Sequence, residues 1–450
     1  MVITPVILAA GHGTRMKSTL PKVLHPLAGK PLIHYCIEAV QQDDFEKAIV
    51  VVGHGAEMVR QTLGERVRFV EQEQQLGTGH AVMVTEPLLA EKTDLIVVTT
   101  GDMPLLLPET VRKLVTMQME NKGPISMVTL ISENPRGFGR VLRMSNGAVG
   151  SIVEEAQATP EQLKIKELNA SIYCFKADWL FEALRRVPLS PKGEYYLTDV
   201  IGIAVAEGLS VLTLVLEDNN EALGINTRVH LAEAEAILRR RINQRHLLAG
   251  VSLIDPEHTY IESDVQIGQD TVIFPDTNLR GKTIIGMHCE IGPNTWIADS
   301  RVGDSCKIQF SVLEQAVVKN NVSIGPYAHL REGTHLAEGV HVGNFGEVKN
   351  SSVGSGSQMG HFSYIGDAQI GENVNIGAGT ITCNFDGEHK NKTEIGDHAF
   401  IGSDTMLVAP VKIGKGARTG AGAVVTKDVP EEDTVVGVPA RSLGKLKKVE

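Results

Sequence analysis

From Ile261 to Val425 one aliphatic position recurs every six residues. Ile261, Ile267, Ile273, Leu279, Ile285, Ile291 and Ile297 set the period, and Val302 and Ile308 resume it after a one-residue slip. Val318, Ile324, Leu330, Leu336, Val342 and Val348 follow, then Val353, Met359 and Ile365 after a second slip, then Ile370 and Ile376. Ile395, Ile401, Leu407, Ile413, Thr419 and Val425 close the series, and glycine often follows the aliphatic residue, as in IGQDTV, IGPNTW and IGENVN. No helix has this period, and an ordinary strand alternates every two residues. The pattern predicts short strands joined by turns. Three strands would close a coil of about 18 residues, side chains inward, with coils about 4.8 Å apart. Roughly nine coils fit, and a hexapeptide period is a solenoid signature.

The period breaks over 382–393 (TCNFDGEHKNKT), a polar insertion with turn chemistry at Asp386-Gly387. A lid, a subunit contact and a tolerated insertion are all open readings of such a loop. Residues 1–226 carry a different rhythm. Buried strands are expected at 6–10, 48–53, 95–100 and 126–131, and helices at 31–40, 56–63 and 109–120. That alternation predicts an open, mostly parallel α/β sheet, with ligands at the carboxyl ends of its strands. Residues 227–248 read as one helix. Thr227 can cap it, Glu233 and Glu235 lie toward its start, Arg239, Arg240, Arg241 and Arg245 toward its end, and Gly250 stops it. The chain then divides into 1–226, a connecting helix 227–248, and 249–450; the helix as the last element of the first domain is the alternative.

Composition narrows this picture. Aromatic residues make up 4% of the chain, which suits a thin prism filled by Ile, Val and Leu, and 45 glycines among 450 residues exceed the usual ~7%. The net charge of −11 argues against a nucleic-acid partner, so anionic substrates need local positive sites. Cys36, Cys174, Cys289, Cys306 and Cys383 are scattered, an odd count that predicts neither a disulfide framework nor a zinc site and fits a reducing cytoplasm. The apolar start MVITPVILAAG reads as a buried strand rather than a signal peptide, and no run of 18 apolar residues suggests a membrane span. The tail 445–450 is basic and expected to fray.

Leu8–Lys22 (LAAGHGTRMKSTLPK) places a strand, then Gly11 and Gly13, then Arg15 and Lys22. Small residues there expose backbone N–H groups to phosphates, and the two cations add mobile charge. The string lacks the Gly-Lys-Ser/Thr of a P-loop and the third glycine of a dinucleotide fingerprint. It resembles the signature of sugar-nucleotide pyrophosphorylases, with His12 at a variable position. Gln72 with Leu76-Gly77-Thr78-Gly79 resembles a uracil-recognition loop. Asp102 in Thr100-Gly101-Asp102 puts a carboxylate at the ligand edge of the sheet; capping a helix is the plainer reading of that residue. Phe138-Gly139-Arg140, Glu154, Asn169 and Gly224-Ile225-Asn226 match sugar-binding and second metal positions. The resemblance implies nucleotidyl transfer from UTP to a sugar 1-phosphate, with Mg²⁺ held by Asp102 and Asn226 and charge stabilised by Arg15 and Lys22. It also implies Leu8, Ala9, Ala10, Gly11, Lys22, Gln72, Gly77, Thr78, Gly139, Glu154, Asn169 and Asn226 as the UDP-sugar contacts.

In the solenoid, Arg331 follows Leu330 and Lys349 follows Val348, one coil apart, so two cations stack about 5 Å from each other. An anion between them is one reading and two solvated cations the other. The hexapeptides resemble the left-handed β-helix acyltransferases. Asn344-Phe345, Lys349, Gly360-His361, Tyr364, Gly366-Asp367 and the run Asn375 to Asn384 (NIGAGTITCN), with the N-terminal motifs in the same order, resemble one family over almost the whole chain. It is the bifunctional uridylyltransferase/N-acetyltransferase family of bacterial cell-envelope precursor synthesis. The resemblance implies an α/β Rossmann-like nucleotidyltransferase domain followed by a left-handed parallel β-helix, assembled as a homotrimer through the β-helix. It assigns His361 as general base, Arg331, Lys349, Tyr364 and Asn375 to the sugar phosphate, and Ala378, Asn384, Phe385, Ser403 and Ala421 to acetyl-CoA. Relatives carry an arginine before Val-Pro where this chain has Gly437, which leaves Arg441 as the basic CoA candidate. Arg331 and His361 are expected on different faces of one prism, so that a neighbour completes the site. Two other readings stay open. One is a pyrophosphorylase whose solenoid is only a scaffold. The other is a zinc lyase resembling γ-class carbonic anhydrases, for which His335 and His341 are the candidates.

Overall fold

The computed structural model describes residues 1–444, so the expected fraying of 445–450 lies outside the described residues. The chain divides into two compact units at Leu238/Arg239, within the helix Arg228–Leu248. Thr227 caps that helix, its Oγ1 accepting from the His230 N–H at 3.2 Å.

In the first unit the strands run Val211–Val215, Ile125–Ile131, Glu167–Lys176, Leu95–Thr100, Ile3–Leu8, Ile49–Val52 and Arg68–Glu71 across one sheet. All pairs are parallel except those of Glu167–Lys176, which is antiparallel to both neighbours. The hairpin Arg140–Arg143/Val149–Val153 joins that strand through Leu168 and Arg140. Strand Ile3–Leu8 is buried on both faces. Ile7, Val50 and Val97 feed one core, and Val6, Ile49, Val51, Ile96 and Val98 the other. A run of apolar residues without alternation is what a covered parallel strand requires. The expected helices form at Leu32–Val40, Ala56–Leu63 and Pro108–Glu120. The strand order reverses at Ile3–Leu8, the chain running outward through Ile49–Val52 and Arg68–Glu71 on one side and resuming with the parallel Leu95–Thr100 on the other, so the carboxyl ends of Ile3–Leu8 and Leu95–Thr100 open a switch-point crevice.

Among the described residues the second unit is a left-handed β-helix of three sheets with 12, 10 and 9 strands, parallel throughout except for the last pair, Thr434–Val436 with Arg441–Ser442. Ile261, Leu279, Ile297, Leu313, Leu330, Val348 and Ile365 stack in register along one sheet. All of them are nearly inaccessible, as are the inward residues of the other two sheets apart from half-buried Ile267. The six-residue count passes over Leu313, which fills the inward position between Ile308 and Val318 where the coil shortens. It also passes over Thr382, an inward residue that is fully buried and stacks on Leu407. The insertion is a short ordered excursion in which Phe385 bridges Lys390. Asp386 Oδ1 accepts from the Glu388 and His389 N–H groups, and these bonds draw its pKa down to about 2.

Candidate active sites

The crevice at the strand switch is a cavity of about 420 Å³ lined by Leu8, Ala9, Ala10, Gly11, Lys22, Gln72, Gly77, Thr78 and Asp102 among others. Gly13 makes its shape possible. Its φ is +61°, and a Cβ there would meet Lys22 Cβ at 2.7 Å. Lys22 Nζ lies 2.5 Å from Asp102 Oδ2 and 3.1 Å from Asn226 Oδ1. Arg15 Nη2 donates to the same Asn226 oxygen at 2.9 Å. Thr100 Oγ1 donates to Asp102 Oδ1 at 2.6 Å, and the Ile225 N–H donates to the Asp102 carbonyl at 2.9 Å, which draws the 224–226 segment alongside. One carboxylate and one amide oxygen therefore converge on a cation. Two hard oxygen donors are the set that Mg²⁺ accepts when phosphates and water supply the rest, so these residues fit that ion.

Gln72 and Gly77 line the cavity but are already tied to each other, Gln72 Nε2 donating to the Gly77 carbonyl at 3.0 Å. Glycine is required at 77, where φ is +96° and a Cβ would lie 2.7 Å from the Tyr195 carbonyl oxygen. The loop is stitched to Tyr195 and Leu197 by the Tyr195 N–H to Leu76 carbonyl bond at 2.8 Å and the Leu197 N–H to Thr78 Oγ1 bond at 3.1 Å.

A second cavity of about 200 Å³ shares Leu8, Thr78, Thr100 and Tyr196 with the first and adds Glu154, Ser171, Tyr173 and Thr198. Burial pushes the Glu154 carboxyl up, opposed by a 3.0 Å bond from Thr198 Oγ1 and reinforced by the charges of Asp199 and Glu194. Gly139 lies beside it, and a Cβ there would crowd Ile152 Cγ2 at 2.9 Å while meeting Glu154 Oε2 at an ordinary 3.7 Å. Asn169 does not line either cavity. It is 2% exposed, donates to the Tyr173 hydroxyl at 2.7 Å and accepts from the Ser171 N–H at 3.1 Å. A bulge between Asn169 and Tyr173, with Ser171 at φ +59°, accompanies Ser171 and Tyr173 lining the cavity in its stead. The sequence reading missed these two residues, as it missed His12, Gln75, Glu194 and Tyr196. The polar-aromatic run 194–199 (EYYLTD) was the available signal for the last pair.

In the β-helix, register decides what meets. Met359 pairs with Ile376, Ile376 with Ile401, and Ile401 with Thr419. The residue two positions on from each therefore forms one column at a corner: His361, Ala378, Ser403, Ala421. Lys349 pairs with Gly366, and Leu330 with Val348, so Arg331 and Lys349 stack at the far corner of the strand that follows His361. Arg331 and His361 thus stand at opposite edges of one face rather than on different faces. A five-residue step covers at most roughly 16 Å when fully extended, and here the strand begins only at Ser363, after a bend at 361–362. Tyr364 lies on the face between the two edges, directly over Glu347.

The cationic corner holds more than two charges. Arg331 Nη1 pairs with Glu347 Oε1 at 2.9 Å. Lys390, from the insertion, stands beside Lys349 and its charge holds the Lys349 pKa below the ordinary lysine value, with Arg331 adding to the effect. Asn384 Nδ2 donates to Asp367 Oδ2 and Asn350 Nδ2 to Asp367 Oδ1, both at 2.5 Å, so Asn384 and the adjoining Phe385 belong to this corner and not to the His361 column. Asn375 is exposed on the preceding sheet, beside Phe400. Arg441 is exposed in the hairpin Thr434–Val436/Arg441–Ser442, where Gly437 turns the chain at φ +89°, a conformation that an arginine there would strain. His335 and His341 sit on separate sheets, and His341 Nδ1 is bonded to Ser323 Oγ at 2.7 Å. Among the described residues no three His, Cys, Asp or Glu side chains group as a metal site.

Comparison with known proteins follows both halves. Residues 5–163 match the MobA-like NTP transferase domain, and residues 264–299 and 392–427 match the bacterial transferase hexapeptide repeats. The chain is 49% identical to the bifunctional protein GlmU of Heliobacterium modesticaldum over 95% of this chain and 93% of that protein. It is 48% identical to the GlmU of Syntrophomonas wolfei over 97% of each, and 47% identical to that of a Geobacillus species over 95% and 93%. Identity at this level through both domains leaves the scaffold and zinc-lyase readings without support. The chain belongs to the GlmU family of bifunctional enzymes, with a nucleotidyltransferase and a hexapeptide acyltransferase in one polypeptide.

Proposed function

We propose the following division of labour for the synthesis of UDP-N-acetylglucosamine by the two activities of this family. The β-helix, 249–450, acetylates glucosamine 1-phosphate with acetyl-CoA. The α/β domain, 1–226, then transfers UMP from UTP to the N-acetylglucosamine 1-phosphate so formed, and 227–248 connects the two.

In the first reaction His361 takes a proton from the sugar ammonium, the free amine attacks the acetyl carbonyl, and the CoA thiolate leaves with its proton restored. Arg331, Lys349 and Tyr364 hold the sugar phosphate, together with Lys390, which the insertion supplies; Asn375 flanks the sugar. Ala378, Ser403 and Ala421 line the path of acetyl-CoA, joined by Asn384, Phe385 and Arg441. His361 and Lys349 stand at opposite edges of one face of the prism. That supports a homotrimer, associated through the β-helix, in which one copy lends the His361 corner and the next the Lys349 corner.

In the second reaction the sugar phosphate oxygen attacks the α-phosphorus of UTP in line and pyrophosphate leaves. No protein nucleophile is needed, and positioning with charge neutralisation carries the rate. The Gly11 loop, Lys22 and Arg15 hold phosphate oxygens. Gln72, Gly77 and Thr78 face uracil, and Glu154, Gly139 and Asn169 hold or shape the sugar pocket, Asn169 by orienting Tyr173. Asp102 and Asn226 hold Mg²⁺, which supplies charge neutralisation at the phosphates when bound. Five unpaired thiols fit a cytoplasmic enzyme, and no helix of the described residues is long and apolar enough to cross a membrane.

The observation that carries this reading is the meeting of Lys22 and Asp102 in a switch-point cavity, with Asn226 bonded to Lys22, on the same chain as the His361 column. Its test separates the activities. Thiol release from acetyl-CoA should require glucosamine 1-phosphate and no UTP, and pyrophosphate release from UTP should require N-acetylglucosamine 1-phosphate and no acetyl-CoA. Thiol release that ignores the amino sugar would overturn it.

A further inference from the structure

Lys22 and Asn226 come from segments about 200 residues apart, and both must be held to a fraction of an ångström if they share a phosphate and a metal. A second link joins the same two segments. His25 closes the one-turn helix Lys22–Leu24, its N–H donating to the Lys22 carbonyl at 3.3 Å. Its carbonyl accepts from the Leu32 N–H at 3.0 Å, anchoring the turn to the helix Leu32–Val40. The His25 ring is 2% exposed. Across from it, Arg228 Nη1 donates to His25 Nδ1 at 3.2 Å. Arg228 is the first residue of its helix and stands two positions after Asn226. Burial, then the Arg228 charge, hold the His25 pKa below its ordinary value, which keeps Nδ1 free to accept.

We propose that His25 and Arg228 are a positioning pair for uridylyl transfer. Their bond clamps the Lys22 turn to the Asn226 segment and sets the spacing between the Lys22 ammonium and the Asn226 amide oxygen. Neither residue touches substrate. The pair acts because Lys22 sits three positions before His25 and Asn226 two before Arg228, so a slip of either backbone moves a group at the reacting phosphates. This inference rests on the phosphate and metal roles proposed for Lys22 and Asn226.

A steady-state comparison of the full-length enzyme tests it. Arg228→Met keeps length and loses the donor, and His25→Leu loses the acceptor. Each should lower kcat for pyrophosphate release by roughly 10²-fold, the cost of about 1 Å of misplacement, with KM for UTP little changed. The double variant should be no worse than either single one. His25→Asn, which keeps an acceptor near the Nδ1 position, should recover most of kcat. Acetyl transfer, on the other domain, should be unchanged throughout and reports that the β-helix is intact, while the retained KM for UTP reports that the first domain is folded. Wild-type kcat in Arg228→Met, additive losses in the double variant, or His25→Asn as poor as His25→Leu would each overturn the proposal. Asn226→Ala belongs in the same assay. Full activity there overturns the site reading itself, whereas loss there with Arg228→Met intact overturns only the clamp.

Discussion

The two domains assemble function in opposite ways. In the α/β domain, residues as distant in sequence as Leu8, Asp102 and Asn226 close on one crevice, because an open parallel sheet turns the ends of its central strands toward a single point. In the β-helix nothing converges. Each coil adds a residue to a column, and the groups proposed for one reaction stand in separate columns at the two edges of a face. A sheet with a switch point can build a site by itself. A solenoid displays residues along straight lines and gains concavity from a loop or from a second copy. The insertion that carries Lys390 would be the first device, and a neighbouring prism, as proposed, the second.

If the sites are as separate as this contrast implies, single substitutions should divide cleanly. The largest effect is expected from Asp102→Ala, which removes the carboxylate that pairs with Lys22 and is proposed to hold the metal. Mg²⁺-dependent pyrophosphate release should fall by roughly 10³-fold or more while acetyl transfer persists. Normal release would take Asp102 out of the metal site. His361→Ala should lower acetyl transfer by about 10²–10⁴ and leave uridylyl transfer alone. Equal loss of both would mean misfolding instead. Lys390→Ala sharpens the contrast, because it asks whether the loop truly builds the site. KM for glucosamine 1-phosphate should rise roughly ten- to hundredfold, as for a lost charge-assisted hydrogen bond, with kcat nearly kept; an unchanged KM would make the insertion a bystander.

The smallest effect concerns pH. Burial raises the Glu154 carboxyl, so the folded protein keeps that proton to a higher pH than the unfolded chain does. Between the unfolded and folded pKa the unfolded chain binds fewer protons, so stability falls as pH rises through that window and the ionised carboxylate costs stability above it. Glu154→Gln should therefore raise the melting temperature of the first domain at neutral pH and weaken sugar binding. In the wild type, KM for N-acetylglucosamine 1-phosphate should rise on acidification at a pH above the ordinary carboxylate range. A flat profile down to that range would detach Glu154 from the sugar.

What the sequence displayed follows the same division. The solenoid was legible because an inward position admits only small or aliphatic side chains, so each coil repeats the constraint. Leu313 escaped only because its coil is short, and Thr382 because it is not aliphatic. The columns were legible in principle from residue spacing, yet two slips and the insertion spoil a fixed count, and the structural register is what aligns His361 with Ala378, Ser403 and Ala421. In the α/β domain the loop from Leu8 to Lys22 declared itself through its glycines. The sugar pocket did not. A bulge accompanies Ser171 and Tyr173 at the cavity while Asn169 turns inward, and no local pattern marks a bulge between two strand halves that both read as strand. Lys390 was hidden for a related reason, since a residue in a loop has no period to place it.

We propose that the acetyl-transfer site is divided between the edges of two prisms. Subunit complementation tests it most directly. His361→Ala and Lys349→Ala chains would be co-expressed with different tags and purified through both, and thiol release from acetyl-CoA would be measured. Each variant alone should be nearly inactive, and the mixed assembly should regain a substantial part of the wild-type rate, because the intact His361 corner of one chain would meet the intact Lys349 corner of another. A mixed assembly no more active than its parents would contradict it and return the whole site to a single chain.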